Sequence, residues 1–163
     1  MSDQETGNLE ELLHSGYRYA YSLTHNKANA EDIVQDAWLA VIKARGPQTR
    51  AYLFSAVRSR FLNTHKRESL VAMVSYEDVP ESEGESGSLE IPCHLEEAIL
   101  DNALNSLRSL EREALYLFAV EDYTAAEIAE FTQQPRNTVL SHIHRAKKKV
   151  KQLIETQHAE VAP

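Results

Sequence analysis

The sequence predicts an all-α protein with two small helical domains joined by a flexible acidic linker. Apolar residues recur at helical spacing on both sides of the chain's centre, and long runs of β-branched residues are absent. The 163 residues include only five Gly and five Pro, which suits uninterrupted helices. We therefore predict a first domain at residues 8–67, a linker at 68–96 and a second domain at 97–154.

The first domain is predicted to contain three amphipathic helices. The first has an apolar stripe made of Leu9, Leu13, Tyr17, Ala20 and Leu23. Asn29 is predicted to cap the second helix, because Glu31 and Asp32 then fall in the first turn, where the helix dipole favours acids. This helix is expected to bury Ile33, Val34, Ala37 and Val41. The third helix begins near Thr49 and is expected to turn inward Tyr52, Leu53, Phe54, Ala56, Val57 and Phe61.

Charge is unevenly distributed along a chain whose formal net charge is -8. Residues 68–97 contain nine acidic residues and no Lys or Arg, and residues 80–88 have the composition of a flexible tether. The third predicted helix, residues 50–67, contains no acid. The acidic centre therefore separates two segments with basic ends, an asymmetry that suggests contact with nucleic acid.

The second domain is predicted to end in a helix-turn-helix motif. A short helix at residues 125–130 is followed by a break at Gln133-Gln134-Pro135 and by a segment, 136–151, with six basic residues and no acid. The second helix of such a motif lies in a DNA groove. Its apolar positions are expected to face the core, namely Val139, Ile143, Ala146, Val150 and Leu153.

Several other functions find no support in the sequence. Cys93 is the single cysteine, so no disulfide can form within the chain, and this usage suits the reducing cytosol. Neither the neighbouring His94 nor the other histidines show ligand spacing, so we expect no metal and no other cofactor. No apolar run approaches the ~20 residues of a membrane span, so direct membrane insertion is not expected.

Two motifs in this order resemble regions 2 and 4 of the extracytoplasmic-function (ECF) sigma factors. The first is NAEDIVQDAW at residues 29–38, followed by RAYLF at 50–54. The second is YTAAEIAE at 123–130, followed by NTVLSHIHRA at 137–146. The resemblance covers roughly residues 9–154, and it implies a bacterial transcription initiation factor, not an enzyme.

The resemblance also implies partners. These are core RNA polymerase (the coiled coil of the clamp subunit and the flap), promoter DNA, and an anti-sigma factor that would hold the protein inactive. The location would be the cytoplasm, with sequestration at the membrane by that inhibitor as a further option. The polymerase would bind an acidic and apolar face of the second helix, formed by Asp32, Gln35, Asp36, Trp38 and Leu39.

Two sets of residues would contact the promoter, which has a −10 and a −35 element. The −10 element would meet the third helix and be opened there, through Arg50, Tyr52, Arg58, Ser59, Arg60, Asn63, Lys66 and Arg67. The −35 element would meet the basic final helix, through Arg136, Asn137, Thr138, Ser141, His142, Arg145 and Lys148. Arg can recognise guanine and Asn adenine with paired hydrogen bonds, whereas Lys more often binds phosphate.

The sequence departs from the family pattern at five places. The segment at 44–49, which in many relatives is a longer loop that captures a flipped −10 base, is short, and Ser59 stands where Asn is frequent. Gln133 replaces the usual Gly at the turn of the DNA motif, and because positive φ costs energy for a non-Gly residue, an altered turn is expected there. Leu140 and His142 stand at positions that are often basic, so the groove helix has lost charge near its start, and His142 predicts a pH-sensitive affinity for DNA.

Alternative interpretations remain open at this point. The chain could be an autonomous helix-turn-helix regulator that binds DNA as a dimer. A metal-dependent hydrolase using the scattered His and Asp residues is a third class, although no spacing supports it. The basic helices could be solvated surfaces, the acids of the second helix could compensate its dipole, and Trp38 could be a core residue instead of a docking anchor.

Overall fold

The computed structural model describes residues 2–72 and 95–161, and every regular element in these two ranges is an α-helix. The all-α prediction is therefore confirmed for the described residues. The predicted tether at 80–88 and the Cys93-His94 pair lie outside them. The helices are α1 (Ser2–Thr24), α2 (Lys27–Lys43), α3 (Arg50–Ala72), α4 (Leu95–Asn105), α5 (Ser109–Ala119), α6 (Ala125–Thr132) and α7 (Arg136–Val161). They form two compact units, α1–α3 and α4–α7.

In the first unit, all three helices pack against one another around a small aromatic core. The rings of Tyr19 and Phe54 stack with their centroids 4.4 Å apart, and both side chains are fully buried. Leu23, Val41 and Val57 complete the contacts between the helices, and burying each of these side chains contributes about 1.5–3 kcal/mol. The bundle thus fixes which faces of α2 and α3 remain exposed.

The prediction that Asn29 caps α2 is wrong, because the cap is Asn26. The Asn26 side-chain oxygen accepts a hydrogen bond of 3.0 Å from the backbone N–H of Asn29, so the helix begins at Lys27. Glu31 and Asp32 consequently lie beyond the first turn. Ala37 and Val41 are buried as expected, whereas the predicted core residues Ile33 and Val34 are half-buried.

In the second unit, α4, α5 and α6 each pack against α7. Its core contains Leu107, Leu117, Ile128 and Val139, together with Ile143 and Ala146 of the predicted inward face of α7. Val150 and Leu153 are half-buried. α7 is therefore held along its N-terminal half by three other helices.

The turn between α6 and α7 has the geometry that the motif requires. A capping box starts α6, in which Thr124 Oγ1 accepts from the Glu127 N–H and the Glu127 carboxylate accepts from the Thr124 N–H. Gln133 ends the helix with φ 55° and ψ 40°. Although an altered turn was expected at Gln133, the residue adopts the left-handed conformation, and its N–H bonds back into the last turn of α6.

Candidate nucleic-acid interface

The outer face of α7 presents most of the residues predicted to contact a −35 element. α7 begins just after the turn at residues 133–135, and its first two residues, Arg136 and Asn137, are exposed. Thr138 and His142 are half-buried. The remaining members of the predicted set are exposed, namely Arg136, Asn137, Ser141, Arg145 and Lys148. Leu140, Ser141, His144 and Arg145 line a shallow depression on this face.

The three consecutive lysines of α7 have three different environments. Lys147 places its ammonium 4.4 Å from the ring centroid of Phe118 on α5, a cation–π geometry. Lys149 donates a 2.9 Å hydrogen bond to the Glu111 carboxylate. Lys148 is exposed and forms no ion pair with any described residue. Of the three, Lys148 is the one with neither a ring nor a carboxylate contact among the described residues, which supports its place in the predicted interface.

Glu111 is an acidic residue buried beneath this basic face, with 3% of its side chain exposed. Burial on its own raises the pKa of a carboxyl. At Glu111 this is outweighed by hydrogen bonds from Lys149 and from the Arg108 backbone N–H, and by the charges of Lys149 and Arg145. The pKa of Glu111 is therefore lowered, and the group is ionised at neutral pH. Sequence reasoning did not identify Glu111, because its partners on α7 follow it by more than thirty positions.

His142 points partly into the protein. Its Nδ1 atom is buried and has no hydrogen-bond partner in the described part of the chain. Burial lowers the pKa of His142, and the positive charge of Arg145 adds to this, although Glu111 and Glu113 act in the opposite direction. The imidazole is therefore neutral at physiological pH, and its half-buried position makes it less available to DNA than Ser141 beside it.

The outer face of α3 forms a second basic surface. Arg58 is half-buried, and the other residues predicted to contact a −10 element are exposed, namely Arg50, Tyr52, Ser59, Arg60, Asn63, Lys66 and Arg67. The prediction that Tyr52 turns inward is wrong, because 39% of this side chain is exposed. Its ring lies against Gly46 so closely that a Cβ there would collide with it. Phe54 and Phe61 are buried, so they are unavailable for stacking on bases.

Within the short segment 44–49, Gly46 is thus packed against the Tyr52 ring, next to the basic surface of α3. Arg45 has a positive φ of 50°, and the Arg45 and Gly46 N–H groups bond back to carbonyls of α2. This local hydrogen bonding closes the turn in few residues.

The exposed face of α2 combines acids with large apolar side chains. Asp32, Gln35 and Asp36 are exposed, and Trp38 is half-buried. Leu39 is 59% exposed and Ile42 is 50% exposed. Ile42 was missing from the predicted set, although its position three residues after Leu39 places both on one helical face. Isolated apolar residues are common on surfaces, but two large neighbours beside carboxylates suit a protein partner better than DNA.

Two family descriptions match the sequence. Sigma-70 region 2 matches residues 9–70, and Sigma-70, region 4 matches residues 97–150. The chain is 26% identical over 136 residues to the ECF RNA polymerase sigma factor SigL of Mycobacterium tuberculosis, covering 80% of this chain and 77% of that protein. It is 27% identical over 154 residues to the ECF RNA polymerase sigma factor SigE of Mycolicibacterium smegmatis, covering 90% and 60% respectively.

A solved structure has a similar fold. It is the co-crystal structure of the sigma factor RpoE in complex with the anti-sigma factor NepR from Bartonella quintana. The two chains superpose with a TM-score of 0.68 at 23% sequence identity, over 95% of this chain and 98% of that one. At this level of sequence identity, the structural similarity shows that the two chains share a fold.

A helix-turn-helix unit and a separate three-helix unit, each with a basic helix face, define a two-part DNA-binding transcription factor. The family matches cover the helices of both units, and the chain belongs to the sigma-70 family, with relatives among the ECF sigma factors. Sigma factors of this family bind core RNA polymerase and promoter DNA and act as transcription initiation factors. None of the helices that the structure describes is both long and apolar enough to cross a bilayer.

Proposed function

We propose that this chain is an alternative sigma factor whose α2 docks on core RNA polymerase while α3 and α7 engage the −10 and −35 elements. In this proposal residues 8–67 bind polymerase and melt the promoter, 68–96 link the domains, and 97–154 bind the −35 element. One observation supports it above all. Residues 136–151 of α7, the second helix of the helix-turn-helix, contain six basic residues and no acid, and a different, acidic and apolar helix face lies on the other unit.

The proposed docking face of α2 consists of Asp32, Gln35, Asp36, Trp38 and Leu39, with Ile42 added. The exposed Leu39 and Ile42 would be covered by the partner, and the carboxylates would pair with its basic residues. Carboxylates repel DNA, so this face is suited to a protein. The expected partner is the coiled coil of the polymerase clamp subunit.

On the DNA side, the exposed Arg and Lys of α3 would hold phosphates around the opened −10 element. Asn63 and the exposed edge of Tyr52 would lie near its bases. On α7, Arg136, Asn137 and Arg145 would contact base edges, and Lys148 would bind phosphate.

The regulation and location follow from the same proposal. RpoE, the structural neighbour, was crystallised with an anti-sigma factor. We propose that an anti-sigma factor likewise holds this chain inactive, in the cytoplasm or sequestered at the membrane, and that the chain acts through binding, without catalysis. Exposed Leu39, Ile42 and Val120 would offer apolar contacts to such an inhibitor.

Charge reversal tests the docking assignment. We expect Asp32→Lys with Asp36→Lys to abolish capture of the full chain by immobilised core RNA polymerase while leaving its helical circular dichroism unchanged. The matched control is Glu10→Lys with Glu11→Lys, which reverses two exposed acids of α1 in the same unit. Equal capture of both variants would contradict the assignment of the α2 face. Specific DNA binding by a dimer without polymerase would instead favour an autonomous regulator.

A further inference from the structure

Glu111 lies where α5 meets α7, and its carboxylate has partners on both sides. Oε2 accepts the Arg108 backbone N–H at 3.3 Å and the Lys149 ammonium at 2.9 Å. Oε1 lies 4.0 Å from Arg145 Nε. Arg145 and Lys149 are one helical turn apart on α7, so the buried carboxylate has a hydrogen bond to one turn of the basic helix and a charge contact with the preceding turn.

This arrangement commits Lys149 to the protein. If its ammonium left Glu111 to reach a phosphate, a carboxylate with 3% exposure would lose its closest charged partner. Removing one partner of a buried pair is costly because the remaining charge is left desolvated. Lys149 is therefore a weak candidate for DNA contact, although it stands inside a run of three lysines.

The same carboxylate constrains the direction of Arg145. Arg145 Nε faces Glu111 and also donates a 3.3 Å hydrogen bond to the Ser141 carbonyl, while half of the side chain stays exposed. A guanidinium is planar and rigid, so fixing its Nε edge against the protein leaves the terminal nitrogens for the groove. Paired hydrogen bonds from an arginine to guanine need such a fixed orientation.

We infer that Glu111 is a positioning residue for promoter recognition, which orients Arg145 toward the −35 bases and withholds Lys149 from the DNA backbone. The inference rests on the proposed role of α7. It goes further in assigning different tasks to adjacent lysines and in giving a buried acid a role in DNA specificity.

The adjacent lysines supply a matched test. Each phosphate contact that is lost reduces the slope of log K against log salt by about one unit. The probe is a labelled promoter duplex selected from a random library by the wild-type chain with core polymerase. We expect Lys148→Ala to reduce the slope by about one unit, and Lys149→Ala to leave it unchanged while lowering the melting temperature. Equal slope losses in both variants would overturn the inference and leave the proposed function intact.

A double-mutant cycle tests the action through Arg145. The measured quantity is the ratio of affinities for the selected duplex and for the same duplex with a scrambled −35 element. Glu111→Gln retains an acceptor of the same shape. We expect it to lower the affinity ratio when it is introduced into the wild-type chain, but not when it is introduced into the Arg145→Ala variant. Additive losses would mean that Glu111 does not act through Arg145.

Two outcomes separate the inference from the function on which it rests. If Arg145→Ala and Lys148→Ala both leave affinity, slope and ratio unchanged, α7 does not contact the DNA, and the proposed function fails together with the inference. If both reduce binding while Glu111→Gln retains full specificity, only the inference fails. The lysine pair keeps the test decisive if Glu111→Gln folds poorly, because Lys148 and Lys149 are not core residues.

Discussion

Gly16 and Leu53 meet where α1 crosses α3, so closely that a Cβ on Gly16 would lie 2.7 Å from Leu53 Cδ2. Val34 Cγ2 of α2 would be 3.1 Å from the same Cβ. All three helices of the first unit therefore converge on a residue without a side chain. This contact sets how closely α2 and α3, which carry the proposed polymerase and −10 surfaces, approach α1.

We expect Gly16→Ala to destabilise the first unit. In an exposed helix this substitution gains about 1 kcal/mol, whereas overpacking a core costs about 1–3 kcal/mol. Because Leu53 is 1% exposed and cannot move aside freely, the second effect should win. Urea unfolding followed by the fluorescence of Trp38, the single tryptophan, reports on this unit. His14→Ala, at an exposed position of α1, is the control, and a more stable Gly16→Ala variant would contradict the packing.

Gln133→Gly should stabilise the second unit by about 1 kcal/mol, because a non-glycine residue in the left-handed region is strained. In the structure, Gln133 has a φ of 55°. Amide hydrogen exchange in α6 and α7 would detect slower opening. Gln134→Gly is the control, since Gln134 has no positive φ and should lose stability through added chain entropy. Faster exchange in Gln133→Gly would show that the turn does not require that conformation.

Arg112→Met should cost the second unit about 3 kcal/mol. The buried guanidinium donates from Nη1 to the carbonyls of Leu104 and Leu107, at 3.1 and 3.0 Å, and so satisfies the end of α4. Without it, these acceptors lose a charged donor. Arg108→Met, at an exposed position, is the matched control. Similar melting curves for the two variants would argue against this capping role.

Acidification below pH 6.5, the ordinary pKa of His, should destabilise the second unit through His142. Since burial and Arg145 lower the pKa of His142, the unfolded chain takes up the proton first, and stability falls as pH drops toward the folded pKa. One such group changes stability by at most about 1.4 kcal/mol per pH unit. His142→Gln should flatten this dependence in thermal melts.

His144→Gln, at an exposed position on the same helix, is the control for the loss of an imidazole. Protonation of Glu111 affects stability in a lower pH range. Its pKa is lowered from 4.5, so its stabilisation is complete above that value and is lost only on further acidification. A His142→Gln variant that keeps the wild-type dependence between pH 6.5 and pH 5 would exclude His142 as the source.

Local patterns predicted most of the fold. Helical periodicity predicted the all-α class, and the motif predicted the short helix and the basic helix of the helix-turn-helix. At Gln133 an altered turn was expected, but the left-handed conformation is retained. The start of α2 was misassigned because Asn26 and Asn29 are both good caps, and only the hydrogen bond between them decides which one caps the helix. Local sequence does not distinguish two such candidates.

The candidate site was less predictable, because its members depend on distant contacts. Tyr52 has the apolar spacing of a core residue, but its ring lies against Gly46 and the residue is 39% exposed. The lysines at 147–149 look equivalent in sequence, yet Phe118 and Glu111 of α5 engage two of them. Such assignments require the tertiary packing of α5 on α7.

Run-off transcription tests the central claim most directly. The template carries a promoter selected from a random library, and core RNA polymerase is supplied with and without the full chain. We predict a transcript with a defined start only when the chain is present. The same transcript should be absent when the chain carries both Asp32→Lys and Asp36→Lys. Initiation that is equally frequent and equally placed without the chain would contradict the account.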